Sequence, residues 1–251
     1  MNTKCFILFA GLLATTIGNA QTPWENYIKN LPRKRSTVVH DYQGNVIKET
    51  SLGVLDVRIN SVQQCADAAI RLRAEFFYSR KEYDKIKFKL TCGLEVPFSK
   101  WASGYRVRVN GNNATLVKSK DTNDYSRENF EEYLKVVMTY AGSASLYRDL
   151  LLYKSECNCP MKVKLGDLFI IPGYPGHVII VIDKKQINGK SYLLFANSWI
   201  PAQEIEIVSG YNPNGENIGN YMPYSGKEGE CFYVNGYEFE TNNLRRWHDP
   251  N

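Results

Sequence analysis

Residues 164–183 read Lys164-Leu-Gly-Asp-Leu-Phe-Ile-Ile-Pro-Gly-Tyr-Pro-Gly-His-Val-Ile-Ile-Val-Ile-Asp183, and residues 191–199 read Ser191-Tyr-Leu-Leu-Phe-Ala-Asn-Ser-Trp199. The apolar runs at 168–171 and 178–182 have the length of buried strands, and Gly and Pro residues separate them. A third run, Tyr192 to Ala196, follows Asn188-Gly189, a pair that tolerates the positive φ angles of a tight hairpin turn. The pattern predicts three strands that pair in sequence order within one antiparallel sheet.

Polar residues stand at the ends of two of these strands. His177 begins the middle strand and Asn197 ends the third. Because the two strands are expected to run antiparallel, these residues should meet at the same edge of the sheet. An amide oxygen can hold an imidazole in the tautomer whose other nitrogen accepts a proton. The sequence therefore predicts a general base, His177, and the residue that orients it, Asn197.

The candidate nucleophile is Cys65, upstream of both. Residues 60–75 predict a helix that starts with a capping box of Ser61 and Gln64, so that Cys65 lies in the first turn. A thiolate at a helix N-terminus is stabilised by the partial positive charge there, which predicts a lowered pKa for Cys65. The alternative is that Cys65 is a small buried apolar residue. If Cys65 is the nucleophile, the catalytic order along the chain is Cys65, His177, Asn197.

Four further residues are candidates for oxyanion or substrate binding. Gln63 and Gln64 stand where an amide could donate to a developing oxyanion, although capping is an alternative role for Gln64. Trp101 and Trp199 are candidates for lining a groove, with packing as the alternative for Trp101. Asp67 is two residues beyond Cys65 on the predicted helix, so we expect it to point away, towards the surface or a structural ion pair.

The second half of the chain resembles papain-like cell-wall hydrolases of the NlpC type, through Gly166-Asp-Leu168, an apolar strand and Gly176-His-Val178. Asn197-Ser-Trp199 is similar to the Asn-Ser-Trp of papain-like enzymes. The resemblance implies an α+β, papain-like fold in which the helix carrying the cysteine packs on an antiparallel sheet. It also implies hydrolysis of peptide or peptidoglycan-type amide bonds, with a non-catalytic ligand- or cell-wall-binding module on the same fold as the alternative.

Over nearly its whole mature length, the chain is similar to a secreted bacterial family known as domain-of-unknown-function family 4846. The matching segments are Gln63-Gln-Cys-Ala-Asp67, Arg71-Leu-Arg-Ala-Glu75, Tyr140-Ala-Gly142, Pro175-Gly-His177 and Pro201-Ala-Gln203. This similarity carries no implication about activity.

The N-terminus predicts a cleaved secretory signal over residues 1–20. Lys4 supplies its positive charge, residues 5–17 its apolar run and Gly18-Asn-Ala20 its cleavage site. No lipid-attachment pattern surrounds a cysteine there, and no other apolar run approaches the ~20 residues of a transmembrane helix. We expect a periplasmic or secreted protein, with residues 21–251 as a single domain that carries an elaboration at about 80–160.

The cysteine count bears on disulfide bonding. Of six cysteines, Cys5 lies in the predicted signal and five remain. Export favours disulfides, and an odd count leaves one thiol free. If that thiol is Cys65, the other four allow three connectivities. Cys157 and Cys159 are too close in sequence to bridge each other comfortably, so each is expected to pair with Cys92 or Cys231.

Charge and ligand spacing bear on partners and cofactors. The net charge is +5 and the basic residues are scattered, which favours a solvated surface and argues against nucleic-acid binding. Cys157-x-Cys159 with His177 lacks the second close ligand pair of a zinc site. No metal and no cofactor is expected, and the sequence does not indicate an oligomeric state.

Overall fold

The computed structural model describes residues 21–49, 51–152 and 162–248. The predicted signal at 1–20 and the cysteines at 157 and 159 lie outside these ranges. The described chain combines helices with antiparallel sheets, which confirms the α+β prediction.

Five helices and two short 3₁₀ turns are described. The helices are α1 (Pro23–Lys29), α2 (Cys65–Ser79), α3 (Phe98–Ala102), α4 (Arg127–Tyr140) and α5 (Ser143–Asp149), and the 3₁₀ turns are Tyr83–Lys85 and Thr241–Asn243. The strands are β1 (Val39–His40), β2 (Val46–Lys48), β3 (Lys87–Lys89), β4 (Glu95–Pro97), β5 (Tyr105–Asn110), β6 (Asn113–Lys118), β7 (Leu151–Leu152), β8 (Leu168–Ile171), β9 (His177–Ile187), β10 (Lys190–Asn197), β11 (Glu206–Val208), β12 (Met222–Tyr224), β13 (Cys231–Val234), β14 (Tyr237–Glu240) and β15 (Leu244–Arg246).

The core of the molecule is a seven-stranded sheet in the order β11-β10-β9-β8-β15-β7, with β12 beside β10. Strands β8, β9 and β10 are consecutive and antiparallel, as the sequence predicts. The turn between β9 and β10 has φ of 49° at Asn188 and 76° at Gly189, the left-handed values that a tight hairpin requires. Because β9 begins at His177 and β10 ends at Asn197, both residues lie at one end of the sheet.

The sheet is buried on both faces, and different elements cover it. Helix α2 packs against β9, and nearly all of its residues are buried. The hairpin of β13 and β14 packs against the sheet through Phe232, whose ring lies 4.9 Å from Phe169 and 5.8 Å from Phe195. In the described residues these two strands form a separate two-stranded sheet, with one isolated bridge from Tyr233 to Tyr211. Their aromatic side chains therefore pack on the main sheet without extending it.

Helix α2 begins later than predicted. Its first helical residue is Cys65 and its N-cap is Gln64, whose backbone N–H donates to Asp67 Oδ2 at 2.9 Å. Ser61 therefore lies outside the helix. A later start puts Cys65 at the first helical position, where its backbone N–H has no acceptor within the helix.

Residues 83–149 supply two two-stranded hairpins, β3 with β4 and β5 with β6, and helices α3, α4 and α5. Ser126 caps α4 by accepting a hydrogen bond from the Asn129 N–H at 3.3 Å, as its position before an amphipathic segment indicates. The buried face of α4 is apolar and aromatic, including Phe130, Tyr133 and Leu134. This region forms one wall around α2.

Two predictions concern the cysteines and the membrane. Cys65, Cys92 and Cys231 are free thiols, so the bridges expected at Cys92 and Cys231 are not present. Among the described residues, no helix is long and apolar enough to cross a membrane.

Candidate active site

His177 and Asn197 are in contact at the end of the sheet. Asn197 Nδ2 lies 3.0 Å from His177 Nε2, and both residues are buried, with 2% and 0% of their surface exposed. Asn197 Oδ1 is also buried and has no hydrogen-bond partner among the residues that the structure describes. Since a half-turn of the amide exchanges its oxygen and nitrogen, Oδ1 can instead accept from Nε2–H. That orientation leaves the Nδ1 lone pair of His177 available to accept a proton.

Aromatic rings enclose His177. The Tyr237 ring stacks on the imidazole at 4.3 Å with 10° between the planes, and the Trp199 ring lies 4.8 Å away at 39°. Phe239, also on β14, follows at 6.2 Å. Burial among these rings lowers the pKa of His177 to about 4. The imidazole is therefore neutral at neutral pH.

The sulfur of Cys65 lies beside the peptide that follows His177. It is half-buried at the first position of α2, and the backbone N–H of Val178 is near enough to lower the pKa of the thiol. Burial raises the pKa of the thiol, and the N–H groups of Val178 and Ala66 only partly offset this effect. The predicted lowering of this pKa is therefore wrong, because desolvation outweighs the helix terminus. In the described residues no hydrogen bond joins Cys65 to His177, so the resting site pairs a neutral thiol with a neutral imidazole.

The two glutamines before Cys65 occupy different environments. Gln63 is fully buried, and its Oε1 accepts a hydrogen bond from Arg71 Nε at 3.3 Å while its Nε2 has no partner. Gln64 is exposed at the N-cap. Of the two predicted oxyanion donors, only Gln64 lies at the surface next to Cys65.

Asp67 does not lie at the surface, where the sequence predicted it. It is 4% exposed, with Oδ2 on the Gln64 N–H and Oδ1 buried without a partner. Burial raises the pKa of Asp67 to about 7. The expectation of a surface or ion-paired residue is wrong, because the side chain folds back to cap its own helix and stays beneath Cys65, whose pKa it raises.

The comparisons with known proteins assign a family. Residues 15–246 match the family described as Domain of unknown function (4846). The chain belongs to family 4846. No curated protein and no solved structure matches it.

In this member of family 4846, charged residues fix α2 from the side opposite the sheet. Arg71 is fully buried and donates to Glu131 through Nη1 at 2.9 Å and Nη2 at 2.8 Å, and to Glu75 at 3.2 Å. Arg127 on α4 pairs with the same two glutamates. We call these four residues the arginine cluster. It connects α2 to α4 and, through Arg71, holds the side chain of Gln63.

The start of α5 packs against the turn before His177. Ser143 Oγ donates to the carbonyl of Gly173 at 3.2 Å. A Cβ at Gly176 would lie 2.3 Å from Ser143 Oγ, 2.6 Å from the Gly173 carbonyl oxygen and 2.8 Å from the Ile171 carbonyl oxygen. A side chain at 176 would therefore displace Ser143 and the turn itself, so glycine is required where α5 meets the segment before His177.

The structure separates the two tryptophans. Trp199 is half-buried and contacts His177. Trp101 is 4% exposed, donates through Nε1 to Asn129 Oδ1 at 2.9 Å and lies under the Arg106 guanidinium at 4.1 Å. Trp101 therefore packs between α3 and α4 and does not line the site at His177. Within the described ranges, no group of three or more His, Cys, Asp and Glu side chains could hold a metal ion.

Tyr237 and Phe239 contact His177 but were not identified from the sequence. They face His177 because β14 folds back over the end of the sheet. The alternation Tyr237, Phe239 on a short strand was the available signal, although it does not indicate which face of which element those rings cover.

Proposed function

We propose that this chain is an exported cysteine hydrolase of papain-like type, which cleaves peptide or peptidoglycan-type amide bonds through Cys65, His177 and Asn197. The observation that carries the proposal is the buried contact between His177 and Asn197. The Cys65 thiol at the start of α2 lies near the backbone N–H of Val178, the residue that follows His177. A histidine buried against an amide, next to a thiol at a helix start, is the arrangement that acyl transfer needs.

The reaction follows from the two neutral groups. The Cys65 sulfur attacks the carbonyl carbon as Nδ1 of His177 accepts the thiol proton. The imidazolium then gives that proton to the departing amine nitrogen, which leaves a thioester on Cys65. A water molecule, deprotonated by His177, attacks the thioester, and the acid and the free thiol are released.

The oxyanion formed in both halves of the reaction needs donors near Cys65. The backbone N–H of Cys65 has no acceptor within α2, and the amide of Gln64 is exposed beside it. Trp199, Tyr174 and Ile200 provide apolar surface at the same end of the sheet, with Tyr174 101% and Ile200 69% exposed. These groups favour a peptide with an apolar or aromatic side chain near the scissile bond.

The pKa values predict how activity depends on pH. Because burial lowers the pKa of His177 to about 4, the base stays unprotonated down to that pH. Because the pKa of Cys65 is raised, the thiol is intact through the neutral range. We expect an acidic limb near pH 4 in kcat/KM, measured with a peptide substrate over pH 3 to 9.

Turnover by the mature chain tests the proposal. Purified protein is incubated with peptidoglycan sacculi and with a pool of short peptides, and new amines and carboxylates are identified by mass spectrometry. Cys65→Ser should abolish cleavage, and His177→Gln should lower it by about 10²- to 10⁴-fold. Cys92→Ser removes an exposed thiol and is the matched control. Cleavage that survives Cys65→Ser would overturn the mechanism.

A second test uses the thiols of a single chain. Iodoacetamide is added at pH 7 and the alkylation rates of Cys65 and Cys92 are followed by peptide mass spectrometry. If His177 accepts the proton of Cys65, His177→Gln should slow alkylation at Cys65 and leave Cys92 unchanged. Equal Cys65 rates in both proteins would count against a general base.

The second candidate is a non-catalytic ligand- or cell-wall-binding module on the same fold. The raised pKa of Cys65 and the enclosure of His177 by Tyr237 and Trp199 favour it. This function requires that sacculi or peptides bind equally well to the wild-type chain and to Cys65→Ser, with no product from either. Product formation by the wild type decides for the hydrolase.

A further inference from the structure

A second cleft lies away from Cys65, between α2, β3, α5 and the segment after β15. Its volume is about 340 Å³, within the range of small-molecule pockets. Buried apolar side chains form its floor: Phe77, Phe88, Leu146 and Trp247, with Leu150 half-buried among them. We call this feature the basic cleft, because of the charges at its mouth.

Three exposed lysines line the mouth: Lys85, Lys87 and Lys89. Two carboxylates also line it, Glu95, which lies 3.8 Å from Lys87, and Asp149, which Arg148 engages at 2.6 Å. Among the described residues, Lys89 forms no ion pair. The mouth therefore carries an excess of positive charge above an apolar floor.

The floor contains one donor without an acceptor. Trp247 is 8% exposed, and its Nε1 is buried without a hydrogen-bond partner in the part of the chain that the structure describes. The ring is fixed by an edge contact with Phe88 at 6.0 Å and by the Arg73 guanidinium at 5.7 Å. Arg73 in turn donates through Nη2 to the His248 carbonyl at 3.1 Å. Since buried N–H groups are nearly always paired, we expect this indole N–H to have an acceptor.

We propose that the basic cleft binds a small organic anion with an apolar body. The apolar part would fill the space over Phe77, Phe88 and Leu150, and the anionic group would face the lysines. Trp247 Nε1 is itself covered, so an acceptor atom of the ligand would reach it after a small shift of the indole. Arg73 and Phe77 lie eight and twelve residues beyond Cys65 on α2, which is about 12 and 18 Å along the helix. The cleft is thus separate from the site at Cys65, and its ligand does not depend on the proposed hydrolase function.

Two fluorescent probes with the same ring system separate charge from apolar contact. 1-Anilinonaphthalene-8-sulfonate is anionic, and N-phenyl-1-naphthylamine has the same body without the sulfonate. Both are titrated into the mature chain. We expect saturable binding of the sulfonate, weakened by added sodium chloride, with energy transfer from tryptophan. Absence of saturable binding of the sulfonate would overturn the proposal.

Charge reversal at the mouth is the main variant. Lys89→Glu should weaken sulfonate binding by at least about fivefold, the effect of reversing one nearby charge in a partly wet site, and should change binding of the neutral probe by less than about twofold. Lys190→Glu, on the exposed start of β10, makes the same change in net charge elsewhere and should affect neither probe. Equal effects of the two variants would mean that the sulfonate senses only the net charge and would overturn the proposed site.

Trp247→Phe keeps the aromatic floor and removes the N–H. It should weaken sulfonate binding about fivefold, as expected for loss of one hydrogen bond, with circular dichroism confirming the fold. If it fails to fold, Leu150→Glu, at a half-buried position, should abolish sulfonate binding. Unchanged sulfonate binding in the folded variant would overturn the proposal. Much tighter binding by a chain that ends at His248 would also overturn it, because it would show that the C-terminal residues compete for the cleft.

Discussion

Two groups of polar residues on or beside helix α2 differ in how completely their buried polar atoms are hydrogen-bonded. In the arginine cluster, Arg71 is fully buried and each of its nitrogens donates to a partner, on Gln63, Glu75 or Glu131. Around Cys65, by contrast, Gln63 Nε2 and Asp67 Oδ1 are buried without a partner in the part of the chain that the structure describes. The buried amide of Asn197 is paired there only at the atom that faces His177.

The difference separates a scaffold from a site. Native proteins pair nearly all buried polar groups, so an orphaned group carries a cost unless something else completes it. Every nitrogen of Arg71 is paired within the chain, which locks α2 to α4, although Arg127 Nε has no partner among the described residues. At the helix start, the incompletely paired groups include Asn197, which contacts His177, and Asp67, which acts on Cys65. A substrate bound there would satisfy groups that the chain does not.

The largest expected effect comes from breaking the arginine cluster. Arg71→Met leaves Glu75 and Glu131 with Arg127 as their remaining cation, and removal of one member of a buried ion cluster costs about 3–5 kcal/mol. We expect the free energy of unfolding, measured by urea denaturation at pH 7, to fall by about that amount. Arg80→Met is the control, since Arg80 pairs with Glu82 at the exposed end of the same helix and should cost less than about 1 kcal/mol. Equal losses would show that the cluster is not a scaffold.

The second effect is the pH dependence that His177 imposes. Its pKa is about 4 in the folded chain and ~6.5 when unfolded. Above pH 6.5 the His177 imidazole is neutral in both the folded and the unfolded state. As the pH falls to 4, the unfolded state takes up the proton more readily than the folded state. The free energy of unfolding therefore drops by about 3 kcal/mol. His177→Gln should lack this loss. The check is the wild-type minus variant difference in unfolding free energy at pH 7 and at pH 4; a difference independent of pH would contradict the burial argument.

The third effect has the opposite sign. Burial raises the pKa of Asp67 to about 7, so the folded chain keeps a proton that the unfolded chain loses above ~3.9, and stability falls as the pH rises from 4 to 7. Asp67→Asn keeps an oxygen for the Gln64 N–H and cannot ionise. We expect it to raise the unfolding free energy at pH 6 by about 3 kcal/mol and to leave stability at pH 4 nearly unchanged. A lower unfolding free energy for the variant than for the wild type at pH 6 would mean that the fold needs the Asp67 carboxylate, paired with the Gln64 N–H, at that pH.

These opposing slopes overlap between pH 4 and 6.5, so the wild-type profile should be nearly flat there. Each variant then exposes the slope of the other group. His177→Gln should lose stability as the pH rises, and Asp67→Asn should gain it. The same chemistry that keeps His177 neutral therefore also keeps Asp67 protonated, because both depend on exclusion of water from the helix start.

The strands that carry His177 and Asn197 were predictable because their signals are local. The apolar runs, the Asn188-Gly189 turn and the antiparallel order depend on neighbouring residues, and β8, β9 and β10 form as expected. Since β9 begins and β10 ends at the polar residues, the contact between His177 and Asn197 also followed from the sequence.

The environment of these residues was not predictable, because it is set by distant segments. The pKa of Cys65 depends on how deeply α2 sinks against β9, and no feature near Cys65 reports that depth. Asp67 was expected at the surface because helical spacing alone turns it from Cys65, but capping of Gln64 draws it back. Tyr237 reaches His177 only because its hairpin packs on the sheet instead of joining it.

The smallest expected effect concerns Gln63, the one residue that touches both clusters. Its Oε1 serves Arg71 and its Nε2 has no partner. Gln63→Met keeps the volume, removes an acceptor from a charged donor and removes an orphaned N–H. Because one change costs and the other gains, we expect a net loss of about 1 kcal/mol in unfolding free energy. Gln64→Met, at the exposed N-cap, should stay within about 0.5 kcal/mol. A loss as large as that of Arg71→Met would make Gln63 part of the scaffold. A neutral result with slower alkylation of Cys65 would make it part of the site, and its unpaired N–H would then be a group that binding completes.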